Sequence, residues 1–140
     1  MQHTLSIIEN ALWPILEAGF TVTIPLALIS FALSLVLAVL TAVMRISKSR
    51  LLKGLAWFYV WVFRGTPLLI QLFIVFFGLP KLNITLDAWT AAILTFALNS
   101  GAYSAESIRG AILSIPRGQW EAADSLGMTH GQVLKRIIFP

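Results

Sequence analysis

Cysteine is missing altogether from the 140 residues. That rules out disulfides and thiolate metal centres and leaves the compartment open, because several compartments suit a cysteine-free chain. Charge is the second scarcity. Only 11% of the residues are Asp, Glu, Lys or Arg, while 58% are apolar. A soluble domain of this size needs many more charges to cover its surface, so the composition points to an integral membrane protein. The longest uncharged run is Ala18 to Met44, 27 residues. As helix it would measure roughly 40 Å, more than the ~30 Å hydrocarbon core of a bilayer. Lys and Arg are also absent from the first 17 residues, which carry Glu9 and Glu17. That is the reverse of the basic start of a cleavable signal peptide. No glycine-rich phosphate loop of P-loop spacing occurs, so the chain itself is not expected to bind ATP. The net charge of +4 does not suggest nucleic acid, since the basic residues sit beside apolar spans.

What is present is an all-α pattern of three apolar spans, at about 18–44, 55–80 and 88–114, followed by a polar segment at about 115–140. The second span is interrupted by Arg64-Gly65-Thr66-Pro67. Arg45, Lys48, Arg50 and Lys53 fill the first connection, whereas the second holds only Lys81 and Asp87. Beyond Ala105, where the uncharged part of the third span ends, come Arg109, Arg117, Lys135 and Arg136. The positive-inside rule then places residues 1–17 outside, the 45–54 loop in the cytosol, the 81–87 loop outside and the tail in the cytosol. Trp13, Trp57, Trp61 and Trp89 lie near span ends, where interfacial anchoring accounts for them. Three spans give few walls for an enclosed pathway. The expectation is a chain cut after the polar segment, with a natural three-span subunit as the alternative.

Polar residues inside the spans are the candidates for function, because lipid-facing polar groups are costly. On the third span Asn99, Tyr103, Glu106 and Gly110 recur at spacings of four, three and four and share one helix face. Asn99 falls roughly 16 Å beyond Ala88, near the midplane, and Glu106 roughly 27 Å in, near the inner interface. Two readings stand side by side: interhelical hydrogen bonding with Glu106 paired to Arg109, or the lining of a pathway. At the Arg64–Pro67 break, Pro67 removes a backbone donor and disfavours helical geometry at Thr66. The freed backbone groups must be satisfied internally or can meet a substrate. Arg64 either attracts a substrate carboxylate or snorkels to the interface. Gln71 either caps the break or lines the pathway.

The polar end reads as a helical hairpin. A helix over about Gln119 to Leu126 is ended by Gly127 in a left-handed position. A second starts at Thr129, with Thr129 and Gln132 spaced as a capping box and Met128 and Val133 as its staple. Val133 with Ile137 and Leu134 with Ile138 form an apolar face, and Lys135 and Arg136 the polar one. Glu121 and Asp124 share a side of the first helix, and Ala122 and Ala123 are small enough to admit a close partner. A solvated surface hairpin is the plainer reading of such a motif.

Glu121-Ala122-Ala123, Gly127 four residues on, Ile137 and Pro140 resemble the EAA loop of ABC importer permeases; Phe139 stands where Leu usually precedes the Pro. Phe63-Arg-Gly-Thr-Pro-Leu-Leu-Ile-Gln-Leu-Phe-Ile-Val-Phe-Phe-Gly-Leu-Pro80 resembles the second-helix signature of the polar amino acid branch, the importers of histidine, arginine, glutamine, glutamate and cystine. Asn99 to Gln119, through Glu106 and Pro116, resembles the same branch's third helix. The resemblance covers nearly all of residues 18–140. It implies a type I ABC importer permease bundle with three of the usual five spans, in a bacterial inner or plasma membrane. The implied protein is a transporter subunit, not an enzyme, with no cofactor of its own; ATP is bound by a separate cytosolic ATPase. Other implied partners are an extracytoplasmic amino-acid-binding protein or domain, a second permease copy or paralogue, and the lipid bilayer. Glu121, Ala122, Ala123 and Gly127 become coupling residues, and Arg64, Thr66, Gln71, Asn99, Tyr103 and Glu106 pathway candidates. A permease for another solute, a membrane scaffold recruiting a cytosolic partner, and a small channel are the alternatives; no acidic ring motif supports the last.

Overall fold

The computed structural model describes residues 11–138, except the side chains of His130 and Ile138. Expectations for residues 1–10, Phe139, Pro140 and the Ile138 side chain lie outside the described residues. The described residues are mostly helical and contain no strand.

The first helix, α1, spans Ala11–Ile46, 36 residues. It therefore extends through the 11–17 stretch assigned to a separate external segment and beyond the 18–44 apolar run. Pro25 lies near the start of its regular portion, Ile24–Ile46, and has no N–H to give. Just before it the helix widens into a π turn over Gly19–Thr23, where the Ile24 N–H reaches the Gly19 carbonyl. The second helix, α2, is Arg50–Gly65. The expected 45–54 loop thus shrinks to residues 47–49, because Arg and Lys are good helix formers and Ser49 caps α2 by accepting from the Leu52 N–H.

After Thr66 and Pro67 the chain turns by 105° into α3, Leu68–Leu82, so the second span is a bent pair, not one rod. Both break residues are extended, with ψ of 139° at each. Asn83, left-handed at φ 61°, ends α3, and Asp87 caps α4, Ala88–Leu113. Asp87 Oδ2 accepts from the Thr90 N–H at 3.2 Å, and Thr90 Oγ1 donates to Asp87 Oδ1 at 2.6 Å. Those bonds, the Thr90 hydroxyl first, hold the Asp87 carboxyl below its ordinary value.

Among the described residues, α1 alone is long and apolar enough to cross a membrane as a single helix; α2 and α3 qualify only together. The third expected span differs. With 26 residues α4 has the length, but Thr, Asn, Ser and Gly dilute its apolar character. The physical reason lies in what covers it. Ser34, Ala38, Thr41 and Ala42 on α1 and Ala91, Thr95, Gly101, Ala102 and Ala105 on α4 are all buried. Stripes of small residues let two backbones approach closely where no water drives helices together. Gly101 is the tightest point: a Cβ there would lie 3.0 Å from the Tyr59 hydroxyl and 3.1 Å from Leu37 Cβ. The large apolar side chains point the other way, with Leu28, Phe31, Val36 and Leu40 more than half exposed. Small residues inside and large ones outside invert the soluble pattern and fit a lipid or protein surround.

Candidate pathway and coupling sites

Three places gather the polar residues. The first is the break. Pro67 would have donated to the Phe63 carbonyl had the helix continued; lacking an N–H, it leaves that carbonyl open. The Gln71 side chain takes over. Its Nε2 donates to Phe63 O at 2.9 Å, with Thr66 O at 3.0 Å and Thr66 Oγ1 at 2.7 Å sharing the same amide. Thr66 Oγ1 in turn donates to Val62 O at 2.9 Å. Gln71 therefore caps the break, from a buried position. Because its nitrogen faces carbonyls, its Oε1 is left as an acceptor, and Asn99 Nδ2 of α4 donates to it at 3.1 Å. Thr66, Gln71 and Asn99 are thus one network linking the bent pair to α4. On the other side, Asn99 lines a cavity of about 520 Å³ with Ser30, Phe31, Leu68 and Ser100. The Ser30 hydroxyl is buried there without a hydrogen-bond partner.

The second place is a cavity of about 370 Å³ walled by Arg45, Trp57, Trp61, Arg64, Tyr103 and Glu106. Glu106 receives two nitrogens of Arg109, Nε at 2.7 Å and a terminal guanidinium nitrogen, and a single Arg45 nitrogen at 3.5 Å. The fork-like Arg109 pair is the stronger, and the long Arg45 contact is the one that ties α1 to α4. Arg64 lies over the Tyr103 ring, 5.3 Å from its centroid. So the face shared by Asn99, Tyr103 and Glu106 splits between two cavities, and Gly110, exposed with nothing nearby, joins neither.

The third place is the hairpin. α4 ends at Leu113, and three residues later α5, Arg117–Ser125, begins behind Pro116. Ser114 donates back to Gly110 O at 3.0 Å and Ile115 to Ile112 O at 3.3 Å, so the link is hydrogen-bonded and short. Gly127 takes φ +67°. Its N–H reaches Asp124 O at 3.0 Å and the Met128 N–H reaches Ala123 O at 3.1 Å, the paired bonds of a Schellman end. α6, His130–Val133, follows and runs on as a π turn over Leu134–Ile138. Gln132 Oε1 accepts from the Thr129 N–H at 2.8 Å, one half of the expected capping box. Glu121, Ala122 and Asp124 are exposed. Ala123 is not: at 1% exposure it packs inside the hairpin, as does Val133.

Sequence reasoning passed over Arg45, Tyr59, Gly101 and Ser30. The Tyr59 hydroxyl donates to Leu98 O at 2.5 Å and ties α2 to α4 beside Gly101. The four-residue rhythm of Ser30, Ser34, Ala38 and Ala42 was a usable signal for the α1 face. Nothing local marked Arg45 or Tyr59.

A small-residue helix bundle with a bent second span and a hairpin at one end is the type I ABC importer permease architecture. A solved amino acid ABC transporter with histidines superposes on 97% of this chain and 63% of its own, at TM-score 0.84 and 36% identity. The MetNI methionine ABC transporter in inward-facing form shares the fold at TM-score 0.63 and 23% identity, over 100% of this chain and 64% of its own. Residues 34–140 match the family described as binding-protein-dependent transport system inner membrane component, and the chain belongs to that family. The L-cystine transport system permease protein TcyB of Bacillus subtilis (strain 168) is 48% identical over 96% of this chain and 57% of its own length. The arginine transport system permease protein ArtQ of the same organism is 40% identical over 91% of this chain and 58% of its own. The putative glutamine transport system permease protein GlnP of Rickettsia prowazekii (strain Madrid E) is 42% identical, over 87% and 56%. The chain spans somewhat more than half the length of these relatives.

Proposed function

We propose that this chain forms the membrane-embedded part of a permease that imports polar amino acids by alternating access, driven by a separate cytosolic ATPase. The observation that carries the reading is the three-residue, Pro116-stiffened link between the hairpin and α4, the helix that also bears Asn99, Tyr103 and Glu106. Force on a Schellman-ended hairpin would pass to that helix with little slack. Exposed Glu121 and Ala122, at a turn held by Gly127, would meet a groove of the ATPase, with buried Ala123 setting the shape of the contact. ATP would be bound and hydrolysed by that partner, and this chain would hold no cofactor and no catalytic residue.

The amino acid class rests on the relatives' transport of cystine, arginine and glutamine. An extracytoplasmic binding protein would deliver the substrate, and a second permease copy or a paralogue would complete the pathway. Asn99, backed by Thr66 and Gln71, would line the route through one cavity, and Arg64, Tyr103 and Glu106 through the other. The positive-inside pattern supports an external amino terminus and a cytosolic hairpin. The deciding experiment is reconstitution of the full-length permease with its ATPase and binding protein in liposomes, with uptake measured across a panel of amino acids. ATP-dependent uptake that is lost with Glu121→Arg, together with ATPase retention on the permease, is the expected result. Uptake and ATPase association unchanged by that substitution would overturn the docking assignment.

A further inference from the structure

We propose that the cavity bounded by Arg45, Arg64, Tyr103 and Glu106 binds the phosphate of an anionic membrane lipid. Among the described residues its only carboxylate is Glu106, and Arg109 occupies that group through two nitrogens. Arg45 keeps one contact to it, at 3.5 Å, and its Nε is buried without a partner. Arg64, an exposed residue, has the Tyr103 ring beneath it and, among the described residues, no carboxylate within ion-pair distance. Three guanidiniums against one carboxylate leave two positive charges uncompensated in a half-enclosed site. At the edge of a bilayer, guanidiniums with so little carboxylate to balance them are costly, and an oxyanion accepting from Arg45 and Arg64 lowers that cost.

Lipid is favoured over a soluble anion by what surrounds the cavity. Trp57 and Trp61 stack with centroids 6.0 Å apart and planes within 10°, and both are more than half exposed. Indoles in that posture belong to the headgroup level of a bilayer. Phe58, also more than half exposed, adjoins them and offers a surface for acyl chains. Lys48, Arg50 and Lys53 lie in the 47–53 stretch that follows Arg45, the basic end at which anionic lipids concentrate. A basic pocket between helices at that level has the chemistry of a headgroup site.

The proposal gives this cavity to lipid in place of the pathway role of Arg64, Tyr103 and Glu106, and it is tested separately from transport, because lipid retention needs no ATPase, substrate or uptake. The test is native mass spectrometry of the full-length permease in detergent with equal phosphatidylglycerol and phosphatidylcholine of matched chains. Retention of phosphatidylglycerol about tenfold over phosphatidylcholine is expected, because both offer a phosphate but only phosphatidylcholine brings a choline cation beside the guanidiniums. Arg64→Gln should reduce that preference at least about fivefold and Arg64→Lys should restore part of it. Photoactivatable phosphatidylglycerol on the unsubstituted protein should label the 57–64 stretch, a readout that survives any folding failure of the variants. Equal retention of the two lipids, unchanged preference in Arg64→Gln, or labelling only elsewhere would overturn the proposal. So would displacement of the lipid by millimolar inorganic phosphate or free glutamine, which would make this a soluble-anion site.

Discussion

Asn99 Nδ2 donates to Gln71 Oε1 at 3.1 Å while Gln71 Nε2 covers the Phe63 carbonyl that Pro67 leaves open. One amide thereby repairs a broken helix and fastens it to α4, 28 residues further along the chain. Gln71→Leu exposes the Phe63 and Thr66 carbonyls and strands Asn99 at once. The expected loss is about 1–3 kcal/mol of stability for the buried groups left unpaired. Asn99→Leu alone removes a single interhelical bond, of the kind that averages roughly 0.6 kcal/mol in membranes, and should cost less. Because the two share a network, Gln71→Leu with Asn99→Leu should cost less than the sum. Thermal unfolding of the detergent-solubilised full-length permease measures all three, and strict additivity would disprove the shared network.

Gly101 predicts a compensating pair. Gly101→Ala places a methyl 3.0 Å from the Tyr59 hydroxyl and 3.4 Å from the Ser34 carbonyl. Tyr59 or the facing α1 backbone must give by a few tenths of an ångström, at a cost of about 1–3 kcal/mol. Tyr59→Phe removes the obstructing oxygen and the bond to Leu98 O, costing about 1 kcal/mol by itself. The double variant should therefore be more stable than the two losses together imply. A double-variant melting temperature as low as additivity demands would mean that Leu37 and Ser34, not Tyr59, set the approach.

At the hairpin, Gly127 with φ +67° should tolerate Asn better than Ala. A left-handed alanine costs roughly 1–2 kcal/mol, while asparagine enters that region more readily. Gly127→Ala should raise protease cleavage between α5 and α6 and weaken ATPase retention on the permease, with Gly127→Asn intermediate. Cleavage equal in both variants would show that the Schellman end does not hold the hairpin.

Asp87 makes the cap of α4 sensitive to acid. Its carboxyl lies below the ordinary value when folded, chiefly through the Thr90 hydroxyl. A lowered folded value means a contribution that is complete above the unfolded value and lost as pH falls through the folded one. Hydrogen-exchange protection of the Thr90 amide, corrected for intrinsic rates, should fall below a pH of about 4. In Asp87→Ala it should already be low at neutral pH. Protection indifferent to pH in the unsubstituted protein would show that the ionised carboxylate is not what caps the helix.

Several parts of the site were legible from residues alone. Pro67 after Thr66 announced the break, Gly127 the hairpin turn, and Thr129 with Gln132 the second cap, since each depends on backbone rules acting over a few positions. The two readings left open for Gln71 and Glu106 needed the partners to be placed. Gln71 turned out to cap the break and also reach Asn99, and Glu106 pairs with Arg109 but also meets Arg45, 61 residues away. Ala123 needed the same placement: a small side chain suits close contact of either kind, and composition does not say that it packs inside the hairpin.

The amino-acid order alone determined that the chain is membrane-embedded and all-helical, where its second span breaks and its hairpin turns, and which polar residues its helices carry. Those properties follow from the cost of polar groups in hydrocarbon and from local backbone chemistry. The tertiary structure alone decided the 105° turn between α2 and α3, the approach at Gly101, and the division of one α4 face between two cavities. Each of these depends on how whole helices lie against one another, and that is set jointly by many small side chains spread along separate segments.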